Sequence, residues 1–223
     1  MMRVFTFLSR QLKSWYDAVR NLPDRMQHRS RHAAVRHRLA LMGRPQTLLV
    51  VCSGNICRSP YLEAVLKRDL PDIRITSGGL MGFDQPVPPQ ALAASAKRRI
   101  DLSAFRSATL EPQRARAADL VIVMEKDQAR YLATYMGVAP GRIIIAGDLD
   151  PFTSPTRAIQ DPWKQSLDVF ESSFERLDRC AATLTQLLRP RLGRGVTVSI
   201  TPTTSPTAPR RSTSGENLSH PSI

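Results

Sequence analysis

Cys52, Arg58 and Ser59 stand in the order C-x5-R-S, directly after the apolar run Thr47-Leu48-Leu49-Val50-Val51. This spacing suits attack of a sulfur on the phosphorus of a phosphate ester. One loop must then hold several anionic oxygens while its own nucleophile lies in line with the leaving oxygen. A tight loop turns its backbone N–H groups inward as an anion nest. Gly54 can enter positive φ without steric cost, and Asn55 tolerates the left-handed region better than most residues, so the chain can close. Arg58 would set a planar fork over two phosphate oxygens, a match that lysine cannot reproduce. Ser59 reads as a helix cap and Pro60 as the first helical residue, so a helix N-terminus points its positive dipole end at the same anion. Those same terms favour the ionised sulfur, and Cys52 is expected as a thiolate before substrate arrives. Ser53, Gly54, Asn55, Ile56, Cys57 and Ser59 then form the phosphate-binding loop. An incidental buried cysteine would leave the accompanying Gly, Asn, Arg, Ser and Pro unexplained, and neither G-x-x-x-x-G-K-[ST] nor G-x-G-x-x-G occurs in the chain.

A phosphocysteine forms only if the leaving oxygen receives a proton, so an acid must reach this loop from elsewhere in the fold. No histidine lies between residues 46 and 190, which leaves a carboxyl group. Asp161, in Gln160-Asp161-Pro162-Trp163, is the leading candidate: Pro162 stiffens the backbone beside it and Trp163 could wall a slot for an aromatic leaving group. It lies on a Pro- and Asp-rich stretch over 147–163, the kind of loop that carries catalytic groups. From the residues alone two alternatives stay open: Asp161 could only cap the following helix, and Asp148 or Asp150 could take its place.

The elements that would position these groups are legible as alternating patterns. Apolar runs at 47–52, 73–77, 119–124 and 142–146 predict strands, and periodic segments at 59–69, 88–99, 126–136 and 164–189 predict helices. The last is the clearest, with Leu167, Phe170, Phe174, Leu177, Ala181, Leu184 and Leu188 at three- and four-residue steps. Short apolar strands between amphipathic helices imply an α/β fold, a parallel sheet covered on both faces. Ligands gather beyond the carboxyl ends of such strands, where the Cys52 loop emerges.

The net charge of +13 belongs to the ends of the chain. Residues 1–45 hold ten Lys/Arg against two Asp, residues 46–190 eighteen against sixteen acids, and residues 191–223 four against one. A nucleic-acid binder would carry its basic stripe on the folded module, so that class is disfavoured. Residues 1–45 read as a basic amphipathic extension, with Phe5, Leu8, Leu12, Trp15, Tyr16, Val19 and Leu22 on one helical face. That face could meet an anionic membrane surface, a partner or its own domain, and periodicity does not choose. His28, His32 and His37 lack carboxylate or cysteine partners in sequence and read as a solvated charged face rather than a metal site. Met42, close ahead of the domain, leaves a shorter reading frame open. Residues 46–190 form the domain, and the Ser/Thr/Pro-rich residues 191–223 are expected to be a disordered tail. Three cysteines and no apolar run of about 18 residues point to a cytoplasmic protein, peripheral to a membrane at most.

Val51-Cys52-Ser53-Gly54-Asn55-Ile56-Cys57-Arg58-Ser59-Pro60, followed later by Asp161-Pro162-Trp163, resembles the low-molecular-weight protein tyrosine phosphatase family. The likeness covers residues 46–190 and extends to Ile75-Thr76-Ser77-Gly78-Gly79 and to Ala118–Met124. It implies a four-stranded parallel sheet with helices on both faces, with no cofactor and no metal. It assigns Cys52 as nucleophile, Arg58 as phosphate clamp, and Asp161 as general acid and then general base. Asn55 would hold the loop in its strained form and Ser59 would hydrogen-bond the sulfur. Cys57 stands where family members close a protective disulfide with the nucleophile, and Cys180 is expected to be inert core. Leu62, Gly78 and Phe105 depart from residues common in the family without removing a catalytic group.

Three rival functions follow. An arsenate reductase on this fold needs redox cysteines that the later chain lacks. A protein-arginine phosphatase resembles the loop closely but has threonine where Ile56 stands, and isoleucine at the pocket mouth favours an aromatic leaving group. A phosphate-binding adaptor would not need the full set of Cys52, Arg58 and Asp161. Phosphotyrosine proteins are therefore the expected substrates, with a bacterial tyrosine kinase as the partner that the resemblance implies.

Overall fold

The computed structural model describes residues 22–82 and 84–189. The expected amphipathic helix ahead of Leu22 and the expected tail over 191–223 lie outside these residues. Four strands, β1 (Thr47–Cys52), β2 (Arg74–Gly79), β3 (Leu120–Val123) and β4 (Ile143–Ile145), form one parallel sheet in the order β2-β1-β3-β4. Their continuous Val, Ile and Leu content follows from burial on both faces. Successive side chains of β1 point to opposite sides: Leu48, Val50 and Cys52 enter one core cluster, and Leu49 and Val51 the other.

Helices α1 (Leu22–Met42), α2 (Arg58–Asp69), α3 (Pro89–Ala96) and α6 (Leu167–Leu188) pack on the first side, and α4 (Pro112–Ala117) and α5 (Lys126–Tyr135) on the second. The long α6 buries Phe170, Phe174, Leu177, Ala181, Leu184 and Leu188 along one stripe, as its periodicity predicts. Cys180 lies in that stripe, where burial pushes its thiol up. The expected four-stranded parallel sheet with helices on both faces is therefore what forms. The 112–117 helix had no strong sequence signal, because its Pro-Gln-Arg-Ala-Arg-Ala run buries only Ala115.

Helix α1 departs from expectation. Val35 and Leu39 join the main core, and His28 is buried, so the charged segment does not present a purely solvated face. Arg31 donates to Asp148 Oδ1 at 3.2 Å, His32 Nδ1 lies 3.0 Å from Asp148 O, and Arg38 donates to Ile143 O at 2.8 Å. Two apolar residues one turn apart dock the helix, and its basic side chains then reach the Ile143 carbonyl at the start of β4 and the oxygens of Asp148 just beyond that strand. The charge count hides this because it weighs every residue alike. Among the described residues no helix is long and apolar enough to cross a membrane.

Candidate active site

β1 ends at Cys52, and the chain turns through residues 53–57 into α2, whose first residue is Arg58. The loop is held against the extension of β2: Leu80 N–H donates to Cys52 O at 3.2 Å and Met81 N–H to Ser53 O at 2.8 Å. Gly79 permits this approach, since a Cβ there would lie 2.9 Å from both Asn55 N and the Gly54 carbonyl carbon.

Of the two residues able to take the left-handed region, Asn55 does so, at φ 53°, and Gly54 does not. Asn55 offsets the steric cost with three side-chain hydrogen bonds. Its Nδ2 donates to Ser59 Oγ and to Ser77 Oγ, each at 2.8 Å, and its Oδ1 accepts from Ala108 N–H at 3.0 Å. Its own N–H donates to Cys52 Sγ at 3.2 Å. Ser77 passes its hydroxyl hydrogen on to Glu63, which also pairs with Lys67 at 2.5 Å.

These contacts leave room for one more. Ser59 Oγ accepts from Asn55, so its hydrogen is free for Cys52 Sγ, 3.0 Å away. Ser59 is therefore not the helix cap that the sequence suggests. Cys57 holds the cap position without a side-chain bond, and Pro60 falls third in α2, still within the first turn where its missing N–H leaves nothing unpaired. The positive end of α2 still faces the Cys52 loop.

Arg58 is buried to 2% exposure. Its guanidinium donates to Ile159 O at 3.0 Å and to Asp161 Oδ2 at 2.5 Å, and Glu125 Oε1 lies 4.0 Å away. Its buried Nε has no partner among the described residues. Asp161 Oδ1 also accepts from Trp163 N–H at 3.2 Å, a local turn that fixes the carboxylate beside Arg58. The cap of α6 is Ser166, so Asp161 does not serve that helix.

The two rival aspartates are committed elsewhere. Asp148 is gripped by Arg31 and Arg157, at 3.2 and 2.5 Å. Asp150 is fully buried between Arg176 and Arg179 at 3.0 Å each. Burial alone would push the Asp150 carboxyl up, but the Arg179 and Phe152 hydrogen bonds with the two arginine charges hold it below the usual carboxylate range. Arg176 also donates to Ala158 O and Thr156 O, each at 2.7 Å, and Ser173 to Gln160 O at 3.0 Å. These bonds pin to α6 the segment that ends at Asp161.

One cavity of about 520 Å³ brings together Cys52, Ser53, Gly54, Ile56, Cys57, Arg58, Asp161 and Trp163. Asn55 and Ser59 are buried behind it as braces. Burial pushes the Cys57 thiol up, with the charges of Cys52 and Asp161 acting the same way. Met81, Gln85 and Pro86 also line the cavity and Gln128 donates to Ser53 Oγ at 3.3 Å, residues that the sequence reading did not single out. The Gly78-Gly79 pair was the one local sign that β2 runs close to the loop.

The family model described as low molecular weight phosphotyrosine protein phosphatase matches residues 47–193. The low molecular weight protein-tyrosine-phosphatase Wzb of Salmonella typhimurium is 32% identical over 151 residues, 66% of this chain and 97% of that protein. Two solved structures share the fold at TM-score 0.60. The tyrosine phosphatase amsI of Erwinia amylovora is 29% identical, with 65% of this chain and 94% of that one covered. Wzb of Escherichia coli K30, solved with sulphate, is 28% identical over 65% of this chain and 99% of its own.

Proposed function

This chain belongs to the low molecular weight phosphotyrosine protein phosphatase family and is a phosphatase, and we propose that it hydrolyses phosphotyrosine in proteins through a phosphocysteine at Cys52. The observation that carries the reading is the convergence of Cys52, Arg58 and Asp161 on one cavity that also holds Ile56 and Trp163.

The reaction runs in two halves. Cys52 Sγ forms a bond to phosphorus as the bond to the tyrosine oxygen breaks, and the Asp161 carboxyl gives its proton to the departing phenolate oxygen. Arg58, with its unpartnered Nε and the two nitrogens now on Ile159 and Asp161, supplies the planar fork for the equatorial oxygens. The helix N-terminus and the loop amides add positive potential where charge gathers in the transition state. In the second half the Asp161 carboxylate takes a proton from water as its oxygen bonds to phosphorus and sulfur departs. Ser59 O–H, already aimed at Sγ, stabilises the departing sulfur.

Trp163, about half exposed at the rim, and Ile56 offer apolar surface to an aromatic ring, which supports phosphotyrosine over a polar phosphoguanidinium. Matched phosphotyrosine and phosphoarginine peptides test this directly, and faster turnover of the arginine peptide would overturn the specificity. A bacterial tyrosine kinase is the partner that the resemblance suggests, and the cytoplasm is the compartment that free-thiol chemistry suits. Cys57 is proposed to rescue the nucleophile after peroxide: the Cys52 sulfenic acid and the Cys57 thiol condense to a disulfide with loss of water. Thiol-reversible inactivation that becomes irreversible in Cys57→Ser would support that role.

A further inference from the structure

A second cavity, of about 340 Å³, opens where α1 crosses α5 and β4. Arg38, Lys126, Arg130 and Arg157 line it, with Asp148 as the one acidic lining residue among those described. Asp148 is already neutralised by Arg157, and Arg31 holds the same carboxylate from α1. Arg130 leans on Asp127 at 3.2 Å in an exposed pair, a weak commitment. Lys126 is exposed and has no ion-pair partner among the described residues.

Arg38 is the informative group. Its terminal nitrogen donates to Ile143 O, and among the described residues no carboxylate pairs with it and its buried Nε has no partner. Burial works against its charge, Asp148 supports it, and Arg157 opposes it. A buried guanidinium edge with an unmet donor, beside three further cations, has a deficit of negative charge. Ala133, Ile143 and Ile145 give the same cavity an apolar lining.

We propose that this cavity binds a small organic phosphate with two or more negative charges, of the nucleoside diphosphate class, its phosphates on Arg38 and Lys126 and its organic part on the isoleucines. The volume is at the lower end of ordinary ligand pockets, about 300–1,000 Å³. Arg38 belongs to α1, ahead of residues 47–193, so the site depends on a part of this chain that the phosphatase domain does not include.

The two cavities hold different isoleucines, which makes them separable in solution. Ile56 lines the catalytic cavity, and Ile143 and Ile145 line this one. The test is a titration of the full chain, labelled at isoleucine methyls, with ADP and in parallel with adenosine and inorganic pyrophosphate. The expected result is saturable shifts of Ile143 and Ile145 with ADP, smaller ones with adenosine, and weakening by added salt. Lys126→Ala and Arg38→Ala should each weaken ADP by about tenfold, the loss of one charge-assisted hydrogen bond. Lys126 is exposed, so its variant keeps the test valid if Arg38→Ala fails to fold. Shifts confined to Ile56, no shifts at all, or equal affinity in Lys126→Ala and the parent would overturn the proposal.

Discussion

Replacing Asn55 by alanine separates the two devices that shape the Cys52 loop. The substitution removes three buried hydrogen bonds, to Ser59, Ser77 and Ala108. At about 0.5–1.5 kcal/mol each they contribute roughly 3 kcal/mol. Alanine must also hold φ near 53°, which costs about 1 kcal/mol more. The expected loss of about 4 kcal/mol lowers Tm by roughly 8–16 °C for a domain of this size. Asn55→Gly loses the same bonds and relieves the left-handed cost, but adds roughly 0.4–1 kcal/mol of chain entropy, so it should be slightly more stable than alanine. Urea unfolding of the three proteins measures both differences. Turnover of an aryl phosphate should fall about 10–100-fold in Asn55→Ala, because Ser59 loses the partner that directs its hydrogen toward Cys52. A loss below about 1 kcal/mol would refute the reasoning about the hydrogen-bonded brace. Glycine less stable than alanine would refute the strain component.

Four further outcomes follow from the same structure. Asp161→Asn should lower kcat/KM for a phosphotyrosine peptide by about 10²–10⁴-fold while sparing kcat/KM for aryl esters with good leaving groups, since that ratio covers only the transfer to Cys52, where only a poor leaving group needs the proton; steady-state kinetics on both substrates checks this. Arg176→Met should cost about 3 kcal/mol, at the low end for breaking a buried pair because Arg179 still holds Asp150, and calorimetry reads it. The same variant should lose more activity on phosphotyrosine than on activated esters, because the carbonyls at 156 and 158 lose their anchor. Burial lowers His28 below its ordinary value of 6.5, against the opposing Asp150 hydrogen bond and charge, so the unfolded chain takes up a proton there before the folded one does. Stability should therefore fall as pH drops below about 6.5, and denaturation of His28→Leu across pH 5–8 should show a flatter profile.

The sheet and its helices were readable because each strand is a short Val/Ile/Leu run and each major helix repeats its apolar residues at helical spacing. The Cys52 loop was readable as a candidate site because its proposed chemistry is local, six residues from sulfur to guanidinium. The choice among Asp148, Asp150 and Asp161 was not local. It depends on Arg31 and Arg157, which hold Asp148, and on Arg176 and Arg179, which hold Asp150; Arg31 lies 117 residues from its acid, and Arg176 and Arg179 lie 26 and 29 from theirs. The docking of α1 rests on Val35 and Leu39 within a run dominated by arginine and histidine, where charge conceals two well-placed methyl clusters. Gly54 and Asn55 were both plausible left-handed residues. Only the surrounding hydrogen-bond partners of Asn55 decide between them.

Acid quenching of the Asp161→Ala enzyme during turnover of an aryl phosphate, followed by peptide mapping, asks where the phosphoryl group rests. Phosphate should rest on the peptide containing Cys52, and none should be found in Cys52→Ser, which should also be inactive. Undiminished hydrolysis by Cys52→Ser, or a phosphate carried by any other residue, would contradict it.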